Sequence, residues 1–332
     1  MKRVSRLLLG SALVATLGFG CAPRLMTTGT AAYTPRIEQT NIVASDGARL
    51  PLHVWSAAQP HAVIVGLHGM NDYENAFDMP GRWFQQRGVT VYAYDQRGFG
   101  RAPGRGLWAG GARMADDLNS VIALVREQHP DLPVYLLGES MGGAVAMRAF
   151  TAPNPPKVDG VILAAPAVWG WREMNAFYET VLWMSAHSLP GLTVTGSGLN
   201  IRPSDNIEML KALGRDPLVI KGTQIGTIYG LVELMDEAAA AAPHINVPVL
   251  LMYGAHDEIV PPIPVADSLN TMRAAKVNVT AACYKNGYHM LLRDLQREVV
   301  WKDIEAWMAS RTAALPSGAQ DLSPCEAMSG AR

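Results

Sequence analysis

A serine flanked by small residues is the first feature of this sequence that could carry chemistry. The string GESMG occupies residues 138–142, with Ser140 at its centre, directly after the apolar run 134–137 and before a helical pattern. A G-x-S-x-G string between a strand and a helix forms a tight turn that holds the serine in a strained backbone conformation. Its hydroxyl then projects beyond the strand, near the helix N-terminus. We therefore predict that Ser140 is a nucleophile.

Ser140 needs a base, because a serine hydroxyl is a poor nucleophile at neutral pH. Where a G-x-S-x-G turn carries such a serine, an acid and then a histidine follow it along the chain. Asp257 comes just after the apolar run 247–253, and His289 comes just after the last apolar run, 277–284. We predict that His289 is the general base and that Asp257 is the acid that orients its ring.

The neighbours of Asp257 offer alternatives for both roles. His256 could be the base, and Glu258 could be the acid. His256 precedes Asp257 in the same loop, however, so the order and the placement after the last strand favour His289. Asp257 occupies the position that such loops generally use. The histidines without a comparable context are expected to be surface or core residues: His53, His61, His129, His187 and His244.

An oxyanion hole should accompany this triad, with two backbone N–H groups aimed at the developing negative charge. One N–H belongs to the residue after the nucleophile, Met141. The other should come from the loop HGMND at residues 68–72, where Met70 is the candidate. We expect His68 to brace this loop by hydrogen bonding. This chemistry requires neither a metal nor an organic cofactor.

These residues need a scaffold that brings several strand ends together. Short apolar runs alternate with helical patterns, which is typical of an α/β fold with a mostly parallel sheet covered by helices. Residues 40–54 are expected to form an antiparallel edge hairpin around Asp46-Gly47. The predicted strands are 62–67, 89–94, 134–137, 158–164, 247–253 and 277–284, and the predicted helices are 75–87, 113–128, 141–149, 264–274 and 291–310. Since parallel strands end at one edge, the triad should assemble there.

The stretch between the predicted strands 158–164 and 247–253 lacks strand signals and is interpreted as an inserted helical cap. It contains an apolar stripe at helical spacing, and further helices are predicted at 206–213 and 225–242. The stripe consists of Met174, Phe177, Tyr178 and Val181. The predicted division of the chain is a signal peptide at 1–21, a core at 33–165 and 246–314, a cap at 166–245, and a mobile tail at 315–332 that is rich in small and polar residues.

The N-terminus differs in character from the rest of the chain. Lys2, Arg3 and Arg6 precede the apolar stretch 7–20, which is too short to span a bilayer comfortably and fits a secretory signal. The stretch ends at Cys21 and resembles the bacterial lipoprotein signal, in which this cysteine is lipidated. Acyl chains on Cys21 would anchor the exported protein at a membrane surface, with an outer membrane favoured. Ordinary cleavage, giving a periplasmic or secreted protein, is the alternative.

The composition limits the remaining possibilities. The chain is 49% apolar and 17% charged, so it can bury a sizeable core. Its formal net charge of −1 gives no electrostatic reason to propose a nucleic-acid partner. Beyond Cys21 only Cys283 and Cys325 remain, so no disulfide framework is expected, and neither has the spacing of a zinc site. Cys283 lies in an apolar run and is expected to be a small buried hydrophobic residue.

Several strings together resemble one branch of the α/β-hydrolase superfamily, the monoacylglycerol lipase and lysophospholipase branch, whose members are also described as serine-aminopeptidase-like. They are His68-Gly69, DQRGFG at 95–100, GESMGG at 138–143, Asp257 with Val260-Pro261, and His289. The resemblance covers about residues 40–312 and implies an eight-stranded, mostly parallel sheet with an inserted cap. It also implies hydrolysis of lipid esters with a single acyl chain, such as a monoacylglycerol or a lysophospholipid.

The predicted cap is rich in large apolar side chains. They could form an acyl-binding wall above Ser140, or they could simply join the cap to the core, and both interpretations stay open. These residues are Trp169, Trp171, Phe177, Tyr178, Trp183 and Met184. Two further functions also stay open on this fold: an amidase or peptidase with the same triad, and a non-catalytic ligand-binding surface lipoprotein.

Overall fold

The computed structural model describes residue 23, residues 25–196, residues 198–321 and residue 325. The predicted signal peptide at 1–21, including Cys21, lies outside the described residues. The strands are β1 Arg36–Glu38, β2 Asn41–Val43, β3 Arg49–Trp55, β4 Ala62–Leu67, β5 Val89–Tyr94, β6 Val134–Glu139, β7 Gly160–Ala164, β8 Thr193–Val194, β9 Thr223–Gln224, β10 Val249–Gly254 and β11 Val279–Tyr284.

Nine of these strands form one sheet in the order β1-β2-β3-β5-β4-β6-β7-β10-β11. The strands from β5 to β11 in this order run parallel, and β1, β2 and β3 pair antiparallel at one edge. The expected hairpin is therefore present, but the sheet has nine strands rather than eight, because Arg36–Glu38 adds a further edge strand. The mostly parallel α/β architecture is confirmed.

Helices cover both faces of this sheet. They are α1 Asp78–Gln85, α2 Gly111–Gln128, α3 Met141–Ala149, α4 Ala176–Ser188, α5 Ile207–Arg215, α6 Ile225–Ala241, α7 Pro262–Ala274 and α8 Arg297–Ala309. Strands β4 to β7 and β10 are buried along their whole length, as their continuous apolar sequences predict. Among the helices in the described ranges, none combines the length and apolar character needed to cross a membrane.

The segment between β7 and β10 contains α4, α5, α6 and a small two-stranded antiparallel sheet of β8 and β9. Helix α6 packs along α3, and its Leu234, Ala238 and Ala241 belong to the main core. Its Gly230 lies directly against the Trp108 ring, where a larger side chain would not fit. The part of the predicted cap that stands away from the sheet therefore ends before α6.

The structure corrects two expectations about the C-terminal part of the chain. Cys283 on β11 and Cys325 form a disulfide, where none was expected. Both cysteines are buried, and Leu315 is also buried in the core. The Ser317 N–H donates to Asp303 at 3.0 Å, so the described residues 315–321, which belong to the predicted mobile tail, are held against the core.

Helix α8 begins at Arg297, six residues later than predicted. The residues before it form turns, in which Leu291 and Leu292 fill the core. Their apolar character imitates a helical pattern although the backbone is not helical. The side chain of Arg293 in this turn points into the molecule and is 5% exposed.

Candidate active site

Ser140 occupies the sharp turn between β6 and α3. Its backbone has φ 54° and ψ −118°, a strained conformation for a residue with a side chain. The turn is held by its N–H, which donates to the Ala164 carbonyl at 3.0 Å. A Cβ on Gly138 would lie 2.6 Å from the backbone of Gly142, and one on Gly142 would overlap the Leu67 carbonyl. The glycines are therefore required by close packing, and the strand–turn–helix bend has the geometry that the motif predicts.

His289 and Asp257 lie together at the carboxyl edge of the sheet. Asp257 follows β10, His289 follows β11, and the His289 Nδ1 lies 2.8 Å from the Asp257 Oδ2. The other carboxylate oxygen, Oδ1, accepts the N–H groups of Ile259 at 2.8 Å and Val260 at 3.0 Å. This arrangement fixes the carboxylate and places the imidazole proton on Nδ1, which leaves Nε2 to accept a proton.

The electrostatic surroundings of His289 favour its protonated form. Burial by itself lowers the pKa of His289, because a charged ring is poorly solvated in the interior. The charge and hydrogen bond of Asp257, together with the charge of Glu139, outweigh this effect and raise the pKa above its ordinary value of 6.5. The positive charge of Arg293 opposes that rise. A histidine with these neighbours can take up a proton from a nucleophile near neutral pH.

The two alternatives from the sequence have other contacts. The His256 ring stacks on Tyr288, with centroids 5.2 Å apart. Glu258 accepts the backbone N–H of Arg202 at 2.8 Å, which holds the returning cap chain. The His289 Nδ1–H instead donates to Asp257, so the structure brings the predicted base and acid together.

The loop expected to form the oxyanion hole lies beside Ser140. A Cβ on Gly69 would be 3.4 Å from the Ser140 Cβ, so the backbone that leads into Met70 adjoins the nucleophile. His68 braces this loop as predicted: its Nε2 accepts the Gln96 N–H at 3.0 Å, and its Nδ1 donates to the Gly69 carbonyl at 2.8 Å. Burial lowers the pKa of His68, which suits this neutral form.

Met141 supplies the second candidate donor. It is the first residue of α3, and the N–H groups in the first turn of a helix have no intrahelical partner. Its N–H is therefore available for an anion at the helix N-terminus, where the helix dipole also favours negative charge. The structure thus places Gly69, which precedes Met70, and the first residue of α3 next to Ser140.

Arg293 is a site residue that the sequence reasoning missed. Its guanidinium donates to the Asp72 Oδ2 at 2.6 Å and to the Glu139 Oε2 at 2.8 Å. Asp72 belongs to the oxyanion loop, and Glu139 directly precedes Ser140. The available signal was a charged residue inside the otherwise buried 138–142 turn, because a buried carboxylate requires a cationic partner somewhere in the chain.

An apolar cavity of about 650 Å³ opens between α4 and α6. Of the six predicted acyl-wall residues, Trp169 and Tyr178 line it. The other four do not line it: Phe177, Trp183 and Met184 on α4 are 71%, 52% and 57% exposed, and the Trp171 ring contacts Tyr229. The further lining residues are Glu173, Met174, Asn175, Val181, Leu182, Ser185, Val194, Leu199, Ile225 and Ile228.

Residues 58–296, more than half of the chain, match the family described as "Serine aminopeptidase, S33". A monoacylglycerol lipase of Mycolicibacterium smegmatis is 28% identical over 80% of this chain and 94% of its own. Phospholipase YtpA of Bacillus subtilis is 27% identical over 76% of this chain and 97% of its own. The crystal structure of Paleococcus ferrophilus monoacylglycerol lipase superposes with a TM-score of 0.65 at 24% identity, covering 79% of this chain and 99% of that one. The chain therefore belongs to the S33 serine aminopeptidase family and is a serine hydrolase with the α/β-hydrolase fold.

Proposed function

We propose that this member of the S33 family hydrolyses carboxylic esters, in particular lipid esters with a single acyl chain, through an acyl-enzyme on Ser140. One observation carries the proposal: the hydrogen-bonded pair of His289 and Asp257 lies at the sheet edge from which the strained Ser140 turn projects. The similarity to a monoacylglycerol lipase and to a phospholipase supports lipid esters as the substrate class.

Each group has a defined role in the two-step reaction. The Ser140 Oγ attacks the acyl carbon while its proton passes to the His289 Nε2, and Asp257 stabilises the resulting imidazolium. The N–H groups of Met70 and Met141 donate to the carbonyl oxygen as it becomes an oxyanion. When the tetrahedral intermediate collapses, His289 gives the proton to the leaving alcohol. Water then attacks the acyl-enzyme, its proton passes to His289, and the same steps release the acid and restore Ser140.

The apolar cavity supports an acyl chain as the group that binds. Its lining is mostly apolar, which is the usual character of sites that take hydrocarbon ligands. Trp169, on its wall, follows shortly after Ala167, whose N–H donates to the Ser140 carbonyl at 3.0 Å. The segment after β7, which is hydrogen-bonded to the nucleophile turn, thus continues into the cavity wall.

We also propose that the protein is exported and anchored through a lipid on Cys21. The buried disulfide between Cys283 and Cys325 supports export, because structural disulfides persist mainly in oxidising compartments. Mass spectrometry of the mature N-terminus tests this proposal. Acyl groups on an N-terminal cysteine are expected, whereas cleavage at another residue would contradict the lipid anchor.

The function is tested by turnover of p-nitrophenyl esters from short to long acyl chains, of a monoacylglycerol and of a lysophospholipid, with an amino-acid p-nitroanilide as the amide. Turnover should favour longer esters and disappear in Ser140→Ala. Trp169→Ala should lose activity on long-chain esters more than on short ones. Phe177→Ala changes an exposed residue outside the cavity lining and is the matched control, which should keep the preference of the wild type. A preference for the amide would replace the esterase proposal with a peptidase, and a folded protein inactive on every substrate would refute a catalytic function.

A further inference from the structure

Arg293 connects three segments that carry the proposed catalytic groups. It lies in the turn that follows His289, and its guanidinium bridges Asp72 of the oxyanion loop and Glu139 at the end of β6. The distances are 2.6 Å to the Asp72 carboxylate and 2.8 Å to the Glu139 carboxylate. A single side chain therefore joins the segments of the base, the oxyanion hole and the nucleophile.

The burial of this group makes the connection rigid. The side chains of Arg293, Asp72 and Glu139 are 5%, 8% and 3% exposed. Removing one partner from a buried ionic group is strongly unfavourable, because it leaves an uncompensated charge in the interior. A guanidinium with its planar fork can satisfy two carboxylates at once, which an ammonium does less well. The three segments therefore cannot shift relative to one another without breaking these bonds.

We infer that Arg293 is a positioning residue, which fixes the oxyanion loop and the Ser140 turn relative to the His289 loop and balances the two carboxylates buried beside the base. The inference rests on the proposed function and names a residue that acts on the reaction through others. Arg293 touches neither the substrate nor the reacting atoms in this account.

The charge balance has a consequence for His289. The carboxylates of Asp257 and Glu139 raise the pKa of His289, and the guanidinium of Arg293 lowers it. The charged groups around the base are Asp257 from the loop after β10, Glu139 from β6, Asp72 from the oxyanion loop, and Arg293 and Asp294 from its own loop. Removing the Arg293 charge should therefore raise the pKa of His289, and removing the Glu139 charge should lower it.

The test is the pH dependence of kcat/KM for p-nitrophenyl butyrate, measured with Arg293→Gln, Arg293→Lys and Glu139→Gln. Arg293→Gln should move the acid limb to higher pH and Glu139→Gln to lower pH, each by on the order of half a pH unit. Arg293→Gln should also lower kcat by about tenfold or more with little change in KM, because misplaced catalytic groups slow the chemical step. Arg293→Lys, which keeps the charge, should restore the position of the acid limb.

Asp46→Asn provides the matched control. Arg97 bridges Asp46 and Asp117 in a similarly buried group away from the base, so this change should lower the Tm without moving the acid limb. If Arg293→Gln does not fold, the inference is tested by the other two variants. The acid limb of Glu139→Gln should move to lower pH, and Asp72→Asn should have a lower kcat. If the wild type is active but the variants of Arg293, Glu139 and Asp72 change only the Tm, as is expected of Asp46→Asn, the inference about Arg293 is overturned and the proposed function is not. A wild type without Ser140-dependent turnover would instead overturn the proposed function.

Discussion

Replacing Asp257 with Asn should abolish most of the activity without disturbing the fold. The structure determines how the new amide must lie. The position of Oδ1 receives two backbone N–H groups, from Ile259 and Val260, so it must be taken by the amide oxygen. The amide NH₂ group then faces the Nδ1 of His289, which can only accept a hydrogen bond from it. The ring proton is therefore forced onto Nε2, the nitrogen that has to receive the proton of Ser140.

The expected magnitude follows from this change of tautomer. If the amide were turned the other way, its NH₂ group would face the N–H groups of Ile259 and Val260. Each donor left without an acceptor would cost about 1–3 kcal/mol of stability. The imidazolium would also lose its carboxylate partner. Together these effects correspond to a loss of about 10⁴-fold in kcat, which is typical when this acid is neutralised and equals about 5 kcal/mol in the activation barrier.

The assay is steady-state hydrolysis of p-nitrophenyl butyrate by wild type, Asp257→Asn and Glu258→Gln. In the contact described above, Glu258 accepts the backbone N–H of Arg202, and a glutamine oxygen can accept it as well. Its replacement should change kcat by less than about threefold, as expected for a group outside the triad. If Asp257→Asn retained activity within tenfold of the wild type, or if Glu258→Gln lost as much, the assignment of the acid would be refuted.

Three further predictions concern the pH profile, the disulfide and the nucleophile turn. Because the base must be neutral and the pKa of His289 is raised, kcat/KM should fall towards acid with a midpoint above 6.5, and a midpoint below 6.5 would contradict this. Cys283→Ala with Cys325→Ala should lower the free energy of unfolding in urea by up to about 4 kcal/mol, as the chain-entropy relation gives for a separation of 42 residues; an unchanged midpoint would argue against the disulfide. Gly142→Ala should lower the Tm and activity, because its Cβ would meet the Leu67 backbone, whereas Gly214→Ala, with open space around it, should not.

The sequence was sufficient for the parts of the fold that depend on local patterns. Strands β4 and β5 and helix α3 begin and end where the apolar runs and the glycine-rich turn predict. The order of Ser140, Asp257 and His289 along the chain also predicted that each group follows a strand at the same edge, because the ends of parallel strands converge on one edge of the sheet. These predictions needed no knowledge of which distant residues meet.

The features that the sequence did not predict depend on contacts between distant residues. Cys283 and Cys325 are 42 residues apart, and nothing local indicates that the C-terminal segment returns to β11. Arg293 lies in what reads as an apolar helical pattern, yet its partners are 221 and 154 residues away, at Asp72 and Glu139. The predicted start of α8 was wrong for the same reason, since tertiary contacts hold residues 291–296 in turns where the local pattern favours a helix.

The central claim is that Ser140 is the nucleophile of a serine hydrolase, and covalent labelling tests it most directly. The folded protein is incubated with a fluorophosphonate, which reacts with activated serines, and the modified peptide is identified by mass spectrometry. We predict one phosphonyl group per chain on Ser140, together with the loss of ester hydrolysis, and no labelling of Ser140→Ala. Full ester hydrolysis after labelling, or modification of a different residue with Ser140 untouched, would contradict it.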